Sequence, residues 1–193
     1  IKEIKTTFLS GNMYKTTRLS KSTNPDITKE RELALDKKQK DFIAFHHKNY
    51  GSSFAYDQFE PMFKAELFDP NQWAEVFKKS GARYVVLTSK HHDGYTLWNS
   101  TQADRDWNRP WNAVTGTPQR DLLGDLSTSV RNTGLKMGYY YSLYEWFNPL
   151  WLYDRKKYVT DHMIPQFKDL VTKYKPSIIF SDGEWELSDT AWQ

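Results

Sequence analysis

From about residue 69 onward, apolar and polar positions alternate between two periods. Asp69-Pro70-Asn71-Gln72 opens a helix. Asp is the N-cap, Pro takes the first helical position, and Gln closes a capping box. Trp73, Val76 and Phe77 follow at helical spacing, and Gly81 supplies a C-terminal cap. A strand is predicted from about Arg83 to Ser89. A loop rich in Trp, Asn, Pro and Asp then runs to about Arg120. A second helix, about Leu122 to Asn132, ends at Gly134. A second strand spans about Leu135 to Ser142, followed by another aromatic loop. Residues from about 157 to 174 read as a helix that Pro165 kinks or divides. Tyr174-Lys175-Pro176 stops it, and a third strand follows at Ser177 to Ser181. Upstream, residues 31–48 carry a weaker helical pattern with Leu33, Leu35, Phe42 and Phe45 partly on one face. Residues 1–35 are polar and lack clear periodicity, and Ser20 to Pro25 reads as a loop.

Helix, strand, helix, strand, helix, strand argues for parallel strands joined by helical crossovers. The long loops follow the C-terminal ends of the strands, the arrangement of a (β/α)8 TIM-type barrel. A dinucleotide-type open sheet is the competitor, but no Gly-rich phosphate turn follows any strand. Eight strands and about 250 residues make a whole barrel. Three clear strands in 193 residues therefore predict one partial, incomplete barrel domain over residues 1–193.

Composition narrows the function. Hydrophobic residues make up 38% and charged residues 26% of the chain, which marks a globular protein. A net charge of +3 is too weak and too evenly spread for nucleic acid. Lys37-Lys38-Gln39-Lys40 reads as a solvated helix face. Without Cys there is no disulfide framework and no thiol chemistry. No apolar run is long enough for a membrane helix, and the first residues carry no signal-peptide apolar region. The chain does not start with Met, so a processed or partial chain is expected. Asn99-Ser100-Thr101 is a lone glycosylation sequon. Aromatics reach 16%, with 8 Trp and 12 Tyr. That excess suits either an aromatic core or a sugar-binding protein whose rings cover sugar faces.

The chemistry sits at the strand ends. Ile178 to Phe180 is an apolar run that stops at Asp182, Gly183, Glu184, Trp185 and Glu186. A buried parallel strand that delivers a carboxylate to a barrel mouth has this pattern. The bland alternative is an Asp that caps the next turn. The first strand ends in Lys90-His91-His92-Asp93-Gly94. A neutral imidazole both donates and accepts, which suits recognition of hydroxyls. A metal site or a core His are the alternatives. Asp93 is expected to brace a neighbouring His or loop. Tyr140 faces away from Tyr139 and Tyr141 if the middle strand is regular. Trp98 and Trp146 lie in loops after strands and are candidates to shape a pocket.

Residues from about 42 to 193 resemble the α-L-fucosidases of glycoside hydrolase family 29. The resemblance rests on an ordered set of segments. These are Tyr56 to Ala65, Phe68 to Ala74, Leu87-Thr-Ser-Lys-His-His-Asp-Gly94, Arg120 to Leu126, Tyr140-Tyr-Ser-Leu-Tyr-Glu-Trp-Phe-Asn-Pro149 and Ser181-Asp-Gly-Glu-Trp-Glu186. It implies a retaining exo-glycosidase on a (β/α)8 barrel that releases terminal α-linked L-fucose from a glycan or small fucoside and needs no cofactor or metal. It maps the nucleophile onto Asp182, fucose binding onto His91 and His92, and a sugar-facing Tyr near the nucleophile onto Tyr140. A lysosomal, periplasmic or secreted location is implied as well, with no membrane partner. A retaining mechanism needs an ionised carboxylate under the anomeric carbon, and Gly183 lets the chain turn away from it.

Two departures stand out. The His-Trp-Gly and Glu-Trp segments that normally open the family are absent from residues 1–41, and His46-His47 in a helical stretch is no substitute. The family's acid/base Glu comes well beyond the nucleophile, so it is expected outside residues 1–193, and nothing promotes Glu184 or Glu186 to that role. Loss of an acid costs about 10²–10⁴ in rate. Two further readings therefore stand beside the enzyme: a non-catalytic, fucose-binding or structural remnant, and a metal-dependent hydrolase built on His91, His92 and Asp182.

Overall fold

A computed structural model of the chain describes residues 40–183. Contacts divide the chain into two compact units, residues 1–62 and 63–193. In the first, helix α1 covers residues 40–50, and a 3₁₀ segment spans Tyr56–Met62. His46 is buried, its Nε2 lies 2.8 Å from the Phe54 carbonyl, and the rings of Tyr50, Phe54 and Phe59 surround it. It is a packing residue, as the helical context of His46-His47 suggests. Leu33 and Leu35 of the expected helix lie outside the described residues.

The second unit holds helix α2 (Pro70–Lys79), strand β1 (Tyr84–Lys90), helix α3 (Thr101–Trp107) and helix α4 (Leu122–Asn132). Strand β2 (Lys136–Ser142), helix α5 (Pro149–Tyr153), helix α6 (Ile164–Tyr174) and strand β3 (Ile178–Asp182) complete it. The α2 cap forms as the sequence predicts: Asp69 accepts from the Asn71 and Gln72 amides, both at 3.0 Å. Helix α3 falls inside the expected loop. Its signal is Ser100, whose Oγ accepts from the Ala103 amide at 3.2 Å. The same Ser100 is the middle residue of the sequon.

The three strands are all parallel, in the order β1-β2-β3. Val85, Leu87, Met137, Tyr139, Tyr141 and Ile179 share one face of the sheet. They pack against Leu123, Leu126 and Val130 of α4 and Leu170 and Tyr174 of α6. Leu126 and Val130 are fully buried, worth about 1.5–3 kcal/mol each. The opposite face is open, and Tyr84, Val86, Ile178 and Phe180 on it are exposed. β3 therefore differs from the buried strand its apolar run suggests. It is the last strand of the sheet, and no described element covers its second face.

Pro165 explains the form of the last helix. Arg155–Lys157 runs into a π-helical turn, Tyr158–Met163, and then into α6. A proline has no N–H for the carbonyl four residues back and its ring crowds that carbonyl. The chain widens instead: the Ile164 amide donates to the Val159 carbonyl, five residues back. The Asp161 carbonyl, to which Pro165 offers no N–H, accepts from Arg105 Nη2 at 3.1 Å.

Candidate active site

The C-terminal ends of the three strands bring together residues that are far apart in sequence. In β3, Asp182 closes the strand with its side chain 30% exposed. Its Oδ2 accepts from the Tyr140 hydroxyl at 2.8 Å, and its Oδ1 from the Gly183 amide at 2.8 Å. Gly183 takes φ +94, and a Cβ there would lie 2.3 Å from Cδ1 of Tyr144. Only glycine lets the chain turn past that ring.

Alternation along β2 places Tyr140 as expected. Tyr139 and Tyr141 are fully buried on the helix side, where Tyr139 Oη shares a hydrogen bond with Ser127 and Tyr141 Oη donates to Gln166. Tyr140 points the other way, beside Asp182. Burial and then the carboxylate raise its pKa well above the ordinary phenol value. It stays a neutral donor.

His91 and His92 lie together beyond β1, with ring centroids 4.1 Å apart. The His91 ring stacks on Tyr140 at 5.5 Å. His92 is buried, with Nε2 3.9 Å from Asp182 Oδ2. Its tautomer follows from its neighbour. Ser142 Oγ donates its one proton to the Tyr144 carbonyl at 2.6 Å. The 2.7 Å contact between Ser142 Oγ and His92 Nδ1 therefore has His92 Nδ1–H as donor. Burial, then the charge of His91, lower the His92 pKa to about 3, and Lys90 adds to this against the pull of Asp182. In this tautomer Nε2 is the unprotonated ring nitrogen, on the side of the Asp182 carboxylate.

Trp146 joins this group. Its amide donates to the His92 carbonyl at 2.7 Å, and its ring lies 6.1 Å from His91 and 5.2 Å from His92. Its indole Nε1 donates to Tyr144 Oη at 2.9 Å. Trp98 is a correction. It has no exposed surface, packs in the core under the sheet, and donates from Nε1 to Asp169 at 2.9 Å. No edge of its indole is left to line a pocket. Asp93 braces its own turn, accepting from the Tyr95 amide at 3.1 Å while its carbonyl takes the Trp111 indole N–H at 2.9 Å.

Sequence reasoning missed Ser142 and Tyr144, which support His92, and a buried cluster behind the His pair. β1 bulges between Thr88 and Lys90, so that Lys90 pairs with Tyr141 instead of continuing the face of Thr88. The bulge sends Lys90 to the helix side, where it is fully buried and its Nζ donates to Glu145 Oε1 at 2.7 Å. Among the described residues no group of three or more His, Asp or Glu is arranged to hold a metal ion.

Comparison with known proteins matches this arrangement to one family. The sequence model of the family described as alpha-L-fucosidase matches residues 23–193. An alpha-L-fucosidase of Dictyostelium discoideum is 48% identical over 157 residues, 77% of this chain and 33% of that protein. The tissue alpha-L-fucosidase of Homo sapiens is 46% identical over 154 residues, 77% of this chain and 32% of that protein. The crystal structure of Thermotoga maritima alpha-fucosidase in complex with fucose aligns with a TM-score of 0.64. It is 35% identical and covers 85% of this chain and 41% of its own. The chain spans about a third of the length of the curated relatives it matches. On these grounds the chain belongs to the alpha-L-fucosidase family.

Proposed function

We propose that the protein carrying this chain is a retaining α-L-fucosidase with Asp182 as its nucleophile. In this reading the three described strands are one arc of a single (β/α)8 catalytic domain, and the open apolar face of the sheet is what the barrel interior fills. The observation that carries the proposal is the placing of Asp182. Its carboxylate ends a parallel strand, partly exposed, held by the Tyr140 hydroxyl and the Gly183 amide.

An Asp182 oxygen attacks the anomeric carbon of fucose as the bond to the leaving oxygen breaks, and an acid protonates that oxygen. Water, deprotonated by the same group, then cleaves the fucosyl ester and frees the carboxylate. We assign the acid/base role to no described residue; Glu184 and Glu186 lie outside them. The hydrogen bonds to Asp182 fix which of its lone pairs points at the sugar. His92 Nε2 accepts a ring hydroxyl, His91 and Tyr140 flank the ring, and Trp146 closes one side. The pocket holds a terminal fucose of a glycan or small fucoside, with no cofactor, metal or nucleic acid. The names of relatives, tissue and plasma alpha-L-fucosidases, support a lysosomal or secreted setting. Among the described residues no helix is long and apolar enough to cross a membrane.

The test is turnover of a nitrophenyl α-L-fucoside by the full chain and by an Asp182→Gly variant, each with and without azide and with a chelator. Expected are turnover by the wild type regardless of chelator, loss in the variant, and azide rescue. Folded wild-type protein that binds fucose without turnover would overturn the enzyme reading.

A further inference from the structure

Directly behind the His pair lies a charge cluster that the proposed reaction does not use. Lys90, Glu145 and His162 have no exposed surface, and the Asp106 side chain is 5% exposed. His162 sits on the π-turn ahead of Pro165. Its Nδ1 lies 2.6 Å from Asp106 Oδ2 and its Nε2 2.7 Å from Glu145 Oε1. Asp106 and Glu145 both have lowered pKa values; as ionised carboxylates they only accept, which puts a proton on each ring nitrogen and makes His162 an imidazolium. Asn148 Nδ2 donates to Glu145 Oε2 at 3.0 Å and to Asp106 Oδ2 at 3.1 Å, and Arg105 Nε donates to Asp106 Oδ1 at 2.6 Å. Two cations and two carboxylates make the buried quartet neutral.

The quartet closes a ring with the active-site turn. Lys90 directly precedes His91 and His92. The His92 carbonyl accepts from the Trp146 amide. Trp146 directly follows Glu145, and Glu145 accepts from Lys90. Gly94 lies on the same carboxylate: a Cβ there would come within 2.6 Å of Glu145 Oε2. The bulge before Lys90 and the π-turn before Pro165 each break regular geometry, and each sends its cation to Glu145.

We infer that Lys90, Glu145, His162 and Asp106 form a positioning device that sets His91, His92 and Trp146 against the Asp182 strand. None of the four touches the sugar in this arrangement. They act through the turn they tie down. The role rests on the fucosidase reading, whereas the charge state of His162 does not.

The groups facing His162 are Glu145, Asp106, Lys90, Asn148, Arg105 through Asp106, and the stacked Tyr158 ring. Burial disfavours its charge, but Glu145 and the hydrogen bonds to both carboxylates outweigh that and raise its pKa. Glu145 is lowered despite burial, by His162 first and then Lys90.

The experiment has two arms on the full chain. In the first, nitrogen-edited NMR of ¹⁵N-histidine protein at about pH 8, above the ordinary His range, is expected to show His162 with protons on both ring nitrogens. A single protonated nitrogen would overturn the quartet. In the second, steady-state kinetics on an aryl α-L-fucoside are read for Glu145→Gln and for Lys90→Met/Glu145→Gln, which restores neutrality. Positioning is expected to cost at least tenfold in kcat/KM in both, with KM raised. The melting temperature should recover in the double variant while kcat/KM does not. Wild-type kcat and KM in the folded fraction of either variant would make the cluster purely structural and overturn the inference. If Glu145→Gln does not fold, the charge-balanced double variant decides alone. Absence of turnover in the wild type would sink the fucosidase reading and with it the positioning role, while the NMR arm would still judge the quartet.

Discussion

Gly94→Ala tests how tightly the His91–His92 turn is seated. Gly94 has φ +75, and a Cβ there would stand 2.6 Å from Glu145 Oε2 and 2.9 Å from its Cδ. The left-handed backbone costs an alanine about 1–2 kcal/mol. The carboxylate cannot swing aside, since Lys90, His162 and Asn148 hold it. Overpacking of that kind adds about 1–3 kcal/mol. The sum is about 2–5 kcal/mol, or roughly 4–20 °C in melting temperature at about 2–4 °C per kcal/mol. Gly134→Ala is the control, because Gly134 has φ +84 and open space around its Cβ position. It carries the backbone cost alone. Differential scanning fluorimetry on both variants, with aryl fucosidase assays on the same samples, separates the two contributions. Gly94→Ala is expected to melt several degrees below Gly134→Ala and to lose activity that Gly134→Ala keeps. Equal melting temperatures would refute the seating of the turn on Glu145.

Tyr140→Phe removes a hydrogen bond to a carboxylate, worth about 1.5–3 kcal/mol. It is expected to lower kcat/KM roughly ten- to hundredfold and the melting temperature by several degrees; unchanged kcat/KM would remove Tyr140 from the site. Trp98→Phe deletes the bond to Asp169 and opens core space, so it should cost about 1–3 kcal/mol in stability while KM stays put. A raised KM at unchanged melting temperature would return Trp98 to the pocket. The pH dependence of stability separates two histidines. His92 has its pKa lowered to about 3 in the fold, so its contribution is full above about 6.5 and is lost as pH falls from there toward 3. His162 is raised, so its contribution is full below about 6.5 and is lost as pH rises through its folded pKa. Asp106, held at about 2 against burial by bonds from His162, Arg105 and Asn148, acts only below the ordinary carboxylate range. Melting temperature should therefore fall between about pH 6.5 and 4.5 in the wild type. It should fall less steeply in His92→Gln, and an equal slope in the two proteins would disprove the neutral, buried His92.

Local pattern was enough to find the frame and to single out several residues that the fold brings together in the candidate site. The Asp69-Pro70 cap and the runs ending at Ser89, Ser142 and Ser181 gave three strands whose observed bounds differ by one residue at most ends. Period-two alternation separated Tyr140 from its neighbours, and the apolar run into Asp182-Gly183 marked the carboxylate. These are properties of a few adjacent residues, where backbone geometry alone dictates which side chains share a face. Tertiary structure decided the rest. Trp98 reads in sequence as one more loop tryptophan, and only the helix supplying Asp169, 71 residues on, shows that it is core. Lys90 by simple alternation would share the face of Thr88, and the bulge reverses it. Glu145 and His162 meet Lys90 across 55 and more residues of chain. A buried charge is tolerable only where its partner arrives, and that arrival depends on how strands and helices pack.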